Sequence, residues 1–531
     1  MSDPAEAKTP FSLFARSADA NPSAIALEVA GERIEYRTLR NLVERVSAQI
    51  AIISQAHPRA VGVMCCRSVA AYVSYLAALR LGATVVPLSP VLPGKRISVM
   101  SRIAHVDVVV FDESGAVHAE RLTHVPCLDL RGASWRDASI PVSEIPVARA
   151  DLAYILFTSG STGRPKGVPI RHQQLMPYVE YCARRYCVGP ASRLSQAFDL
   201  AFDPSVFDLF VAWYSGATVV VPESAEVVNP ATFINAKRIT HWFSVPSVIA
   251  MASRLRGLSP GCMPDLRWSL FAGDQLSLKA ARTWSTAAPN AIVENLYGPT
   301  EVTITCTSYR LPATHDDWPR TSNGTVPIGR PYPHLEVLLL DDEMNRVTDD
   351  AIGELCIRGA QRFDGYLNVD DNIGRFVRAA GGQSVDFTSM PAPTDWYRTG
   401  DRVQWQDGQL VHLGRIDDQV KVNGFRIELG EIEAAMREHD SIDEAVVLCS
   451  GVSPWTALCA FYSGVELAPA EIDRHLRELL PSYMVPTSFR HRDELPMSTN
   501  GKLDRARLRV LLDVGAQSFR ASDGGADLHE S

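Results

Sequence analysis

The sequence predicts an α/β protein with two parts: a large N-terminal domain of helix-covered sheets that includes a β-rich subdomain, and a small α+β C-terminal domain. Three observations support this. Short apolar runs alternate with amphipathic stretches through the first half of the chain, short strand-like segments with turn signals occupy 310–400, and the pattern changes again beyond Gly414. A chain of 531 residues is compatible with about two to four domains.

The first half of the chain combines apolar runs typical of buried strands with helix-like stretches. The strand candidates include 61–66, 83–88, 106–111 and 217–222, and 69–82 is the example of an amphipathic helix. Short apolar runs that alternate with helical patterns are typical of parallel sheets covered by helices.

The β-rich subdomain is predicted from four segments with turn signals. These segments are IGRP, LEVLLLD, GELCIRG and VQWQDGQLVHLG. We place the boundary of the large domain after them, so that this domain covers 1–416.

The small domain is predicted to cover 417–514 as a compact α+β unit. Its segment KVNGFRIELGEIEAAMREH predicts a strand that leads into an amphipathic helix. IDEAVVLCS and LCAFYSG predict strands, and PAEIDRHLRELL predicts a helix that begins near its proline. The tail 515–531 is small and polar, which predicts disorder.

Composition and charge exclude several classes of function. The net charge is −9 without a long basic run, which argues against nucleic-acid binding. There is neither a leader pattern nor an apolar stretch of about 18 residues, which argues against secretion and a membrane span. The ten cysteines are scattered and lack CxxC pairs with histidine partners, so no zinc site is expected and a reduced, cytoplasmic location is preferred.

A loop rich in glycine and hydroxyl side chains follows the apolar run that starts at 152. It comprises Thr158, Ser159, Gly160, Ser161, Thr162 and Gly163, followed by Lys166 and Gly167. Glycines let backbone N–H groups approach an anion, and hydroxyls and a lysine add donors and charge. The loop suits phosphates, but it is not a Walker A motif because its lysine is followed by glycine. Taken alone, it is also compatible with a flexible polar connection.

This loop and four further segments carry a resemblance to a known family. The segments are YGPTE (297–301), YRTGD (397–401), GRIDDQVKVNGFRIELGEIE (414–433) and NGKLD (500–504). Together they resemble the adenylate-forming enzymes, which include acyl-CoA synthetases and luciferases, and more narrowly the adenylation domains of nonribosomal peptide synthetases. The resemblance extends, in rounded bounds, over residues 10–510. It implies an AMP-forming ligase that uses ATP and Mg²⁺.

The resemblance implies a nucleotide site with a role for each matching residue. An aromatic face suits a purine base, and a hard carboxylate oxygen suits Mg²⁺ beside phosphates. The implied residues are the loop 158–163 with Lys166 for the β- and γ-phosphates, Tyr297 and Asn295 for adenine, Gly298 and Thr300 beside them, Glu301 for Mg²⁺, Asp401 for both ribose hydroxyls and Arg415 for the nucleotide.

The resemblance also implies two moving parts. Lys502, at the loop tip that follows Asn500 and Gly501, matches the lysine that contacts the substrate carboxylate and the α-phosphate. Asp417 matches the hinge about which the small domain turns between adenylation and thiol transfer. One departure is Asn423, where the family often has arginine or lysine; it puts the contacts to the pantetheine thiol or to the carrier in doubt.

The acid is implied to be an α-amino acid. Asp203 matches the aspartate that pairs with an α-amino group, and a carboxylate holds an ammonium strongly in a desolvated pocket. The residues that match the pocket lining are Pro204, Phe207, Phe243, Leu270, Ala272, Leu296, Ile304 and Thr305. Large apolar side chains and the absence of a charge predict a small aliphatic substrate, with alanine as the first expectation. Thr305, the one polar member, leaves serine open.

The acceptor is expected to be the phosphopantetheine thiol of a separate carrier protein. The late paired glycines, Gly524 and Gly525, precede alanine and aspartate rather than the serine of a carrier domain, and six residues remain. Two alternatives stay open: an acyl- or aryl-CoA ligase that uses free coenzyme A, against which Asp203 counts, and a light-emitting oxygenase or catalytically inactive binding protein, against which Lys166, Glu301, Asp401 and Lys502 count.

Overall fold

A computed structural model describes residues 8–55, 57–137, 151–160, 163–347, 350–378, 391–451, 456–496 and 503–512. The chain divides into two units. The first runs to Thr158 and resumes from Lys166 to Asp417, and the second combines Ser159–Pro165 with the chain from Asp418 onward.

Strands make up three sheets of the first unit. In chain order they are β1 (Ile25–Val29), β2 (Glu32–Glu35), β3 (Ala60–Met64), β4 (Thr84–Pro87), β5 (Val108–Phe111), β6 (Cys127–Asp129), β7 (Leu152–Thr158), β8 (Lys166–Arg171), β9 (Arg193–Ser195), β10 (Thr218–Val220), β11 (His241–Ser244), β12 (Trp268–Phe271), β13 (Ile292–Tyr297), β14 (Thr307–Arg310), β15 (Arg330–Pro331), β16 (Leu335–Leu340), β17 (Gly353–Gly359), β18 (Phe376–Val377), β19 (Trp396–Gln406) and β20 (Gln409–Arg415).

Helices cover the sheets of the first unit. They are α1 (Pro10–Ala20), α2 (Tyr36–Ser54), α3 (Val69–Arg80), α4 (Gly94–Ile103), α5 (Ala116–Ala119), α6 (His172–Arg185), α7 (Pro204–Tyr214), α8 (Ser224–Val227), α9 (Pro230–Lys237), α10 (Ser247–Arg254) and α11 (Leu278–Ala287). Short 3₁₀ turns lie at Ser134–Arg136, Thr300–Val302, His315–Asp317 and Val369–Asn372.

The largest sheet has nine strands in the order β15-β14-β13-β12-β11-β9-β10-β1-β2. The strands from β13 to β1 are parallel to their neighbours, and antiparallel strands close both ends. Successive side chains of a strand point to opposite faces. Accordingly, Phe243 lies in the main core and the adjacent Trp242 lies in a separate core under the outer helices.

A six-stranded sheet, β6-β5-β3-β4-β7-β8, packs into the same main core. The helix predicted over 69–82 is present as α3, but its amphipathic character is wrong, because all twelve of its residues are buried. The physical reason is that α3 packs against α2, α1 and strands of this sheet, so no face is left for water.

The third sheet contains β16, β17, β18, β19 and β20 and corresponds to the β-rich subdomain. One expected member lies elsewhere. The segment IGRP contributes β15, which pairs with β14 and so belongs to the nine-stranded sheet.

The second unit has its own sheets and cores. Its elements are the hairpin β21 (Gln419–Val422) and β22 (Phe425–Glu428), α12 (Leu429–Arg437), the three-stranded sheet of β23 (Ile442–Ser450), β24 (Ala457–Gly464) and β25 (Ser488–His491), α13 (Pro469–Leu479) and a 3₁₀ turn at Ser482–Met484. Pro469 occupies the first turn of α13, where its missing N–H costs nothing. The predicted tail lies outside the described residues.

The predicted fold class is confirmed by this arrangement of a large α/β unit and a small C-terminal one. Among the residues that the structure describes, no helix combines the length and apolar character needed to cross a membrane.

We expect Gly329→Ala to lower the free energy of unfolding more than Gly31→Ala does. Both glycines have positive φ, 84° and 78°, so each substitution strains the backbone by roughly 1 kcal/mol. A Cβ at Gly329 would lie 1.9 Å from the carbonyl oxygen of Ser308, whereas no atom lies within 4 Å of one at Gly31. Overpacking should add about 1–3 kcal/mol. Denaturant titration of both variants tests this, and equal losses would contradict it.

Candidate functional site

The carboxyl ends of β11, β12 and β13 lie at one edge of the nine-stranded sheet because these strands are parallel. Ligands of open α/β sheets bind outside this edge. Near it, Phe243 is the register partner of Leu270, and both side chains lie in the main core with Leu296 and Ala272. The structure therefore groups four residues that the sequence assigned to the pocket lining.

Asp203 begins the next part of the lining. It is the N-cap of α7, with Pro204 at the first helical position, and its side chain makes no capping hydrogen bond. It lies near the buried Tyr154, since its negative charge adds to the effect of burial in raising the pKa of that phenol. The helix therefore does not use this carboxylate as its cap.

An aromatic cluster continues from Asp203 along α7. Phe207, one turn further on, packs edge-on against Phe243 with ring centroids 5.1 Å apart. Phe198 contacts the other side of Phe243 at 5.1 Å, and Tyr186 contacts Phe207 at 5.8 Å. Edge-to-face pairs of this kind prefer defined geometries. Both predicted lining phenylalanines are therefore held by neighbours.

Thr305 is placed in the lining, but its hydroxyl is already engaged. The hydroxyl oxygen lies 3.0 Å from that of Tyr178 and 2.8 Å from that of Tyr332, and all three residues are buried. Two of the three hydrogen bonds that this hydroxyl can make are therefore used within the protein, and serine as a substrate stays a prediction.

Glu301 lies in the 3₁₀ turn after β13 and is fully buried. The hydroxyl of Tyr366 donates a hydrogen bond of 2.6 Å to its carboxylate. The Lys166 ammonium lies 5.5 Å from the centroid of the Tyr366 ring. The same ammonium forms an ion pair of 3.2 Å with Asp371. Tyr366 thus connects the predicted metal ligand with the predicted phosphate-binding lysine.

Asn295 presents one unused acceptor. Its amide nitrogen donates to the carbonyl oxygens of Val326 and Pro327, at 3.1 and 2.9 Å. Its amide oxygen is buried and has no hydrogen-bond partner among the described residues. A buried polar atom of this kind favours a ligand that donates a hydrogen bond.

Asp401 is the centre of a buried network. Its carboxylate accepts hydrogen bonds from the hydroxyl of Tyr297, from His412 Nε2 at 3.0 Å and from Arg415 Nη1 at 2.9 Å. Arg415 also forms a two-point ion pair with Asp417, at 2.7 and 2.8 Å. Arg415, predicted to contact the nucleotide, therefore connects Asp401, the predicted ribose residue, with Asp417, the predicted hinge.

His412 is a member of this network that the sequence analysis missed. Gln275 fixes the ring, because its amide nitrogen lies 3.0 Å from His412 Nδ1. The signal available in the sequence was the pair Asp407-Gly408, which is typical of a two-residue hairpin turn. In the structure both residues have the positive φ angles of such a turn. Counting back from the turn pairs His412 with Val403 and brings it toward Asp401, although a bulge shifts the register there.

The loop after β7 belongs to the second unit. The Ser159 hydroxyl donates to the carbonyl of Arg426 at 3.0 Å and accepts from the N–H of Glu428 at 3.2 Å. The Gly160 N–H donates to the Glu431 carboxylate at 3.3 Å. The Glu431 carboxylate therefore accepts a hydrogen bond from one of the N–H groups that were predicted to bind phosphate.

Three predicted site residues, Ser161, Thr162 and Lys502, lie outside the described residues. Asn423 is described and has a physical explanation within its own hairpin. Asn423 and Gly424 form the two-residue turn between β21 and β22, with φ of 52° and 84°. Asparagine tolerates this left-handed conformation better than arginine or lysine does.

The Mg²⁺ implied for this site fits Glu301. Mg²⁺ is usually held by one or two carboxylates together with substrate phosphates and water. Glu301 offers a buried carboxylate that the Tyr366 hydroxyl orients, next to a lysine suited to phosphates.

Comparison with known proteins connects this geometry to a family. Residues 14–367 match the family model described as AMP-binding enzyme, and residues 431–502 match the AMP-binding enzyme C-terminal domain. Among solved structures, the Vibrio cholerae adenylation domain AlmE in complex with glycyl-adenosine-5'-phosphate is 26% identical, with a TM-score of 0.80, covering 97% of this chain and 99% of that one. Holo-PA1221, a nonribosomal peptide synthetase protein containing adenylation and PCP domains, is 25% identical, with a TM-score of 0.77, covering 94% and 84%.

The curated relatives are much longer proteins. Surfactin synthase subunit 2 of Bacillus subtilis is 32% identical over 503 residues, which is 93% of this chain and 14% of the relative. The chain thus spans about a seventh of that synthase's length.

We expect Arg415→Met to destabilise the first unit by about 3–5 kcal/mol, because it leaves the buried Asp401 carboxylate without its cation. The double variant Arg415→Met/Asp401→Asn should recover part of this loss. Arg402→Met is the matched control on β19: its ion pair with Asp342 is exposed and should contribute about 0–1 kcal/mol. Calorimetric unfolding tests this, and equal effects of the two arginine variants would contradict it.

Proposed function

Because the chain belongs to the family of AMP-binding enzymes, we propose that it activates a small L-α-amino acid with ATP and transfers the aminoacyl group to the phosphopantetheine thiol of a carrier protein. The family assignment confirms the resemblance recognised in the sequence and the class of enzyme, an AMP-forming ligase. The amino acid, the carrier and the role of each site residue are parts of the proposal.

The proposed reaction has two steps. The carboxylate of the amino acid attacks the α-phosphorus of ATP, pyrophosphate leaves, and an aminoacyl-adenylate forms. The carrier's thiol then attacks the acyl carbon, loses its proton and releases AMP, which leaves a thioester. The first step brings two anions together, so preorganised positive charge is the main requirement on the protein.

The observation that carries the amino-acid assignment is the position of Asp203 at the head of α7, one turn before Phe207. A carboxylate one helical turn from an apolar aromatic cluster matches an ammonium group attached next to a small apolar side chain. The glycyl-adenosine-5'-phosphate bound to AlmE supports a small amino acid by analogy.

The nucleotide assignment is supported by the acceptors around β13. The amide oxygen of Asn295 matches the exocyclic amine of adenine, which donates a hydrogen bond. The Asp401 carboxylate matches a ribose diol, and Tyr297, His412 and Arg415 hold it in place. When bound, Mg²⁺ at Glu301 would supply positive charge that offsets the phosphates.

Three roles follow from the family pattern. Lys502 supplies the ammonium that lies between the substrate carboxylate and the α-phosphate, and Lys166 supplies charge for the β- and γ-phosphates. Asp417 serves as the hinge of the small domain, and its ion pair with Arg415 connects that position to the ribose-binding network.

The side-chain preference follows from volume and from the hydrogen bonds that Thr305 already makes. The paired rings of Phe207 and Phe243 occupy space that a large substrate side chain would need. The Thr305 hydroxyl is bonded to two tyrosines, which leaves it one further hydrogen bond at most for a substrate hydroxyl. Alanine is therefore favoured over serine. A separate carrier protein stays a prediction from the sequence.

We expect Lys502→Ala to reduce adenylation by about 10²–10³-fold while thioester formation from preformed adenylate continues, because one preorganised charge is lost from the first step only. Pyrophosphate exchange and transfer to a loaded carrier measure the two steps. Lys279→Ala, an exposed lysine of α11, is the control and should change neither. An equal loss in both steps would sink the assigned role.

We expect pyrophosphate exchange to be strongest with alanine and weaker with glycine, 2-aminobutyrate and serine, since one methylene is worth only about 1–3 kcal/mol. Phe207→Ala should admit leucine. Phe233→Ala removes a buried ring from the other core and should leave the preference unchanged. A strong preference of the unmodified protein for phenylalanine, tryptophan, glutamate or a β-amino acid would refute the assignment.

A further inference from the structure

We propose that Gln361 is a positioning residue that holds the strained segment Thr303–Ile304 and thereby sets the floor of the amino-acid pocket. The proposal rests on the proposed function in its specificity part, because Ile304 is one of the residues assigned to the lining. Its structural part, that Gln361 holds this segment, stands independently of the substrate.

The segment is in a conformation that its own residues disfavour. Thr303 and Ile304 have φ of 54° and 74°. Both are β-branched, and a β-branched residue in the left-handed region is a genuine outlier. Backbone in such a conformation persists only where the surroundings over-determine it.

Gln361 supplies that restraint from one side. It is fully buried, and its amide nitrogen lies 3.2, 3.1 and 2.9 Å from the carbonyl oxygens of Val302, Thr303 and Thr305. In return, the Thr303 hydroxyl donates to the backbone carbonyl of Gln361 at 2.6 Å. The two amide hydrogens of one side chain are thus shared among three buried carbonyls around Ile304.

His334 fixes the direction of the Gln361 amide. Since only the NH₂ group can donate to the three carbonyls, the amide oxygen must face His334 Nε2, with which it forms a hydrogen bond. Burial lowers the pKa of His334, and the rings of Tyr181 and Tyr332 flank it. A neutral imidazole protonated on Nε2 therefore donates to Gln361.

Gly298 restrains the segment from the other side. A Cβ at Gly298 would lie 2.5 Å from the Thr305 Cα and 2.7 Å from the Ile304 carbonyl oxygen. The segment therefore packs closely against the backbone of Gly298 and is also hydrogen-bonded by Gln361. With the Gln361 amide removed, the three carbonyls lose their donor and Ile304 can move toward a relaxed conformation.

The structural part is tested by hydrogen exchange of the peptide that covers 299–307, in Gln361→Met, which keeps the side-chain volume but has no donor. We expect at least tenfold faster exchange in this peptide than in the unmodified protein. Val46→Ala, which truncates a buried side chain of α2, is the control for general destabilisation and should leave this peptide's exchange unchanged. Unchanged exchange in folded Gln361→Met would overturn the proposal.

The specificity part is tested by pyrophosphate exchange. We expect the ratio of kcat/KM for leucine to that for alanine to rise by about tenfold in Gln361→Met, the scale on which pockets distinguish side-chain volume, with the KM for ATP unchanged. If this variant does not fold, His334→Leu, which removes the donor to Gln361 and keeps an apolar side chain between Tyr181 and Tyr332, should shift both readouts in the same direction. A folded His334→Leu with neither shift would overturn the proposal. A ratio that stays within twofold in a folded Gln361→Met would also overturn it. Absence of amino-acid-dependent exchange in the unmodified protein would instead count against the proposed function.

Discussion

The hydrogen bond from the Cys306 N–H to the Tyr297 carbonyl, 2.7 Å long, is the constraint on which the candidate site depends. It closes the connection between β13 and β14, which pair antiparallel from Tyr297 and Thr307 onward. Within this short connection the chain must include a 3₁₀ turn and return to the sheet. It does so with two left-handed residues, Thr303 and Ile304, and with Gly298 at a point where a Cβ would meet the backbone of Thr305. The residues assigned to adenine, Mg²⁺ and the pocket floor are thereby held within one closed loop.

Buried polar groups around that loop are satisfied by residues distant in the sequence. Tyr366 donates to Glu301, Gln361 donates to the carbonyls of the loop, and Tyr297 itself donates to Asp401. An unsatisfied buried group would be costly, so each of these contacts restrains two elements at once. The third sheet, which carries Asp401, is in this way connected to the edge of the nine-stranded sheet that carries Tyr297. The two halves of the proposed nucleotide site therefore share hydrogen bonds within the first unit.

The motifs allowed most of the candidate residues to be chosen from the sequence, because their spacing follows from local geometry. The Asp407-Gly408 turn determines a hairpin, and the hairpin places Arg415 opposite Asp401. The interpretation was weaker where tertiary packing decides. The buried environment of α3 contradicts the expected amphipathic helix, and Thr305 appeared open to a substrate hydroxyl although two distant tyrosines engage it. His412 lies in a segment that the sequence analysis used only to predict strands, and Gln361 lies in none of the quoted segments, since the roles of both arise from what they contact.

The sequence by itself determined the family, the fold class and the chemical types at the site, because apolar periodicity, turn residues and motif spacing are local properties. Only the tertiary structure decided which hydrogen-bonding groups of the site are used within the protein and which remain for a ligand. Asn295 commits its amide hydrogens to Val326 and Pro327 and keeps its oxygen, whereas Thr305 uses its hydroxyl within the protein. The physical reason is that hydrogen-bond saturation and backbone strain depend on groups brought together by folding across large separations in the chain, and no local pattern records them.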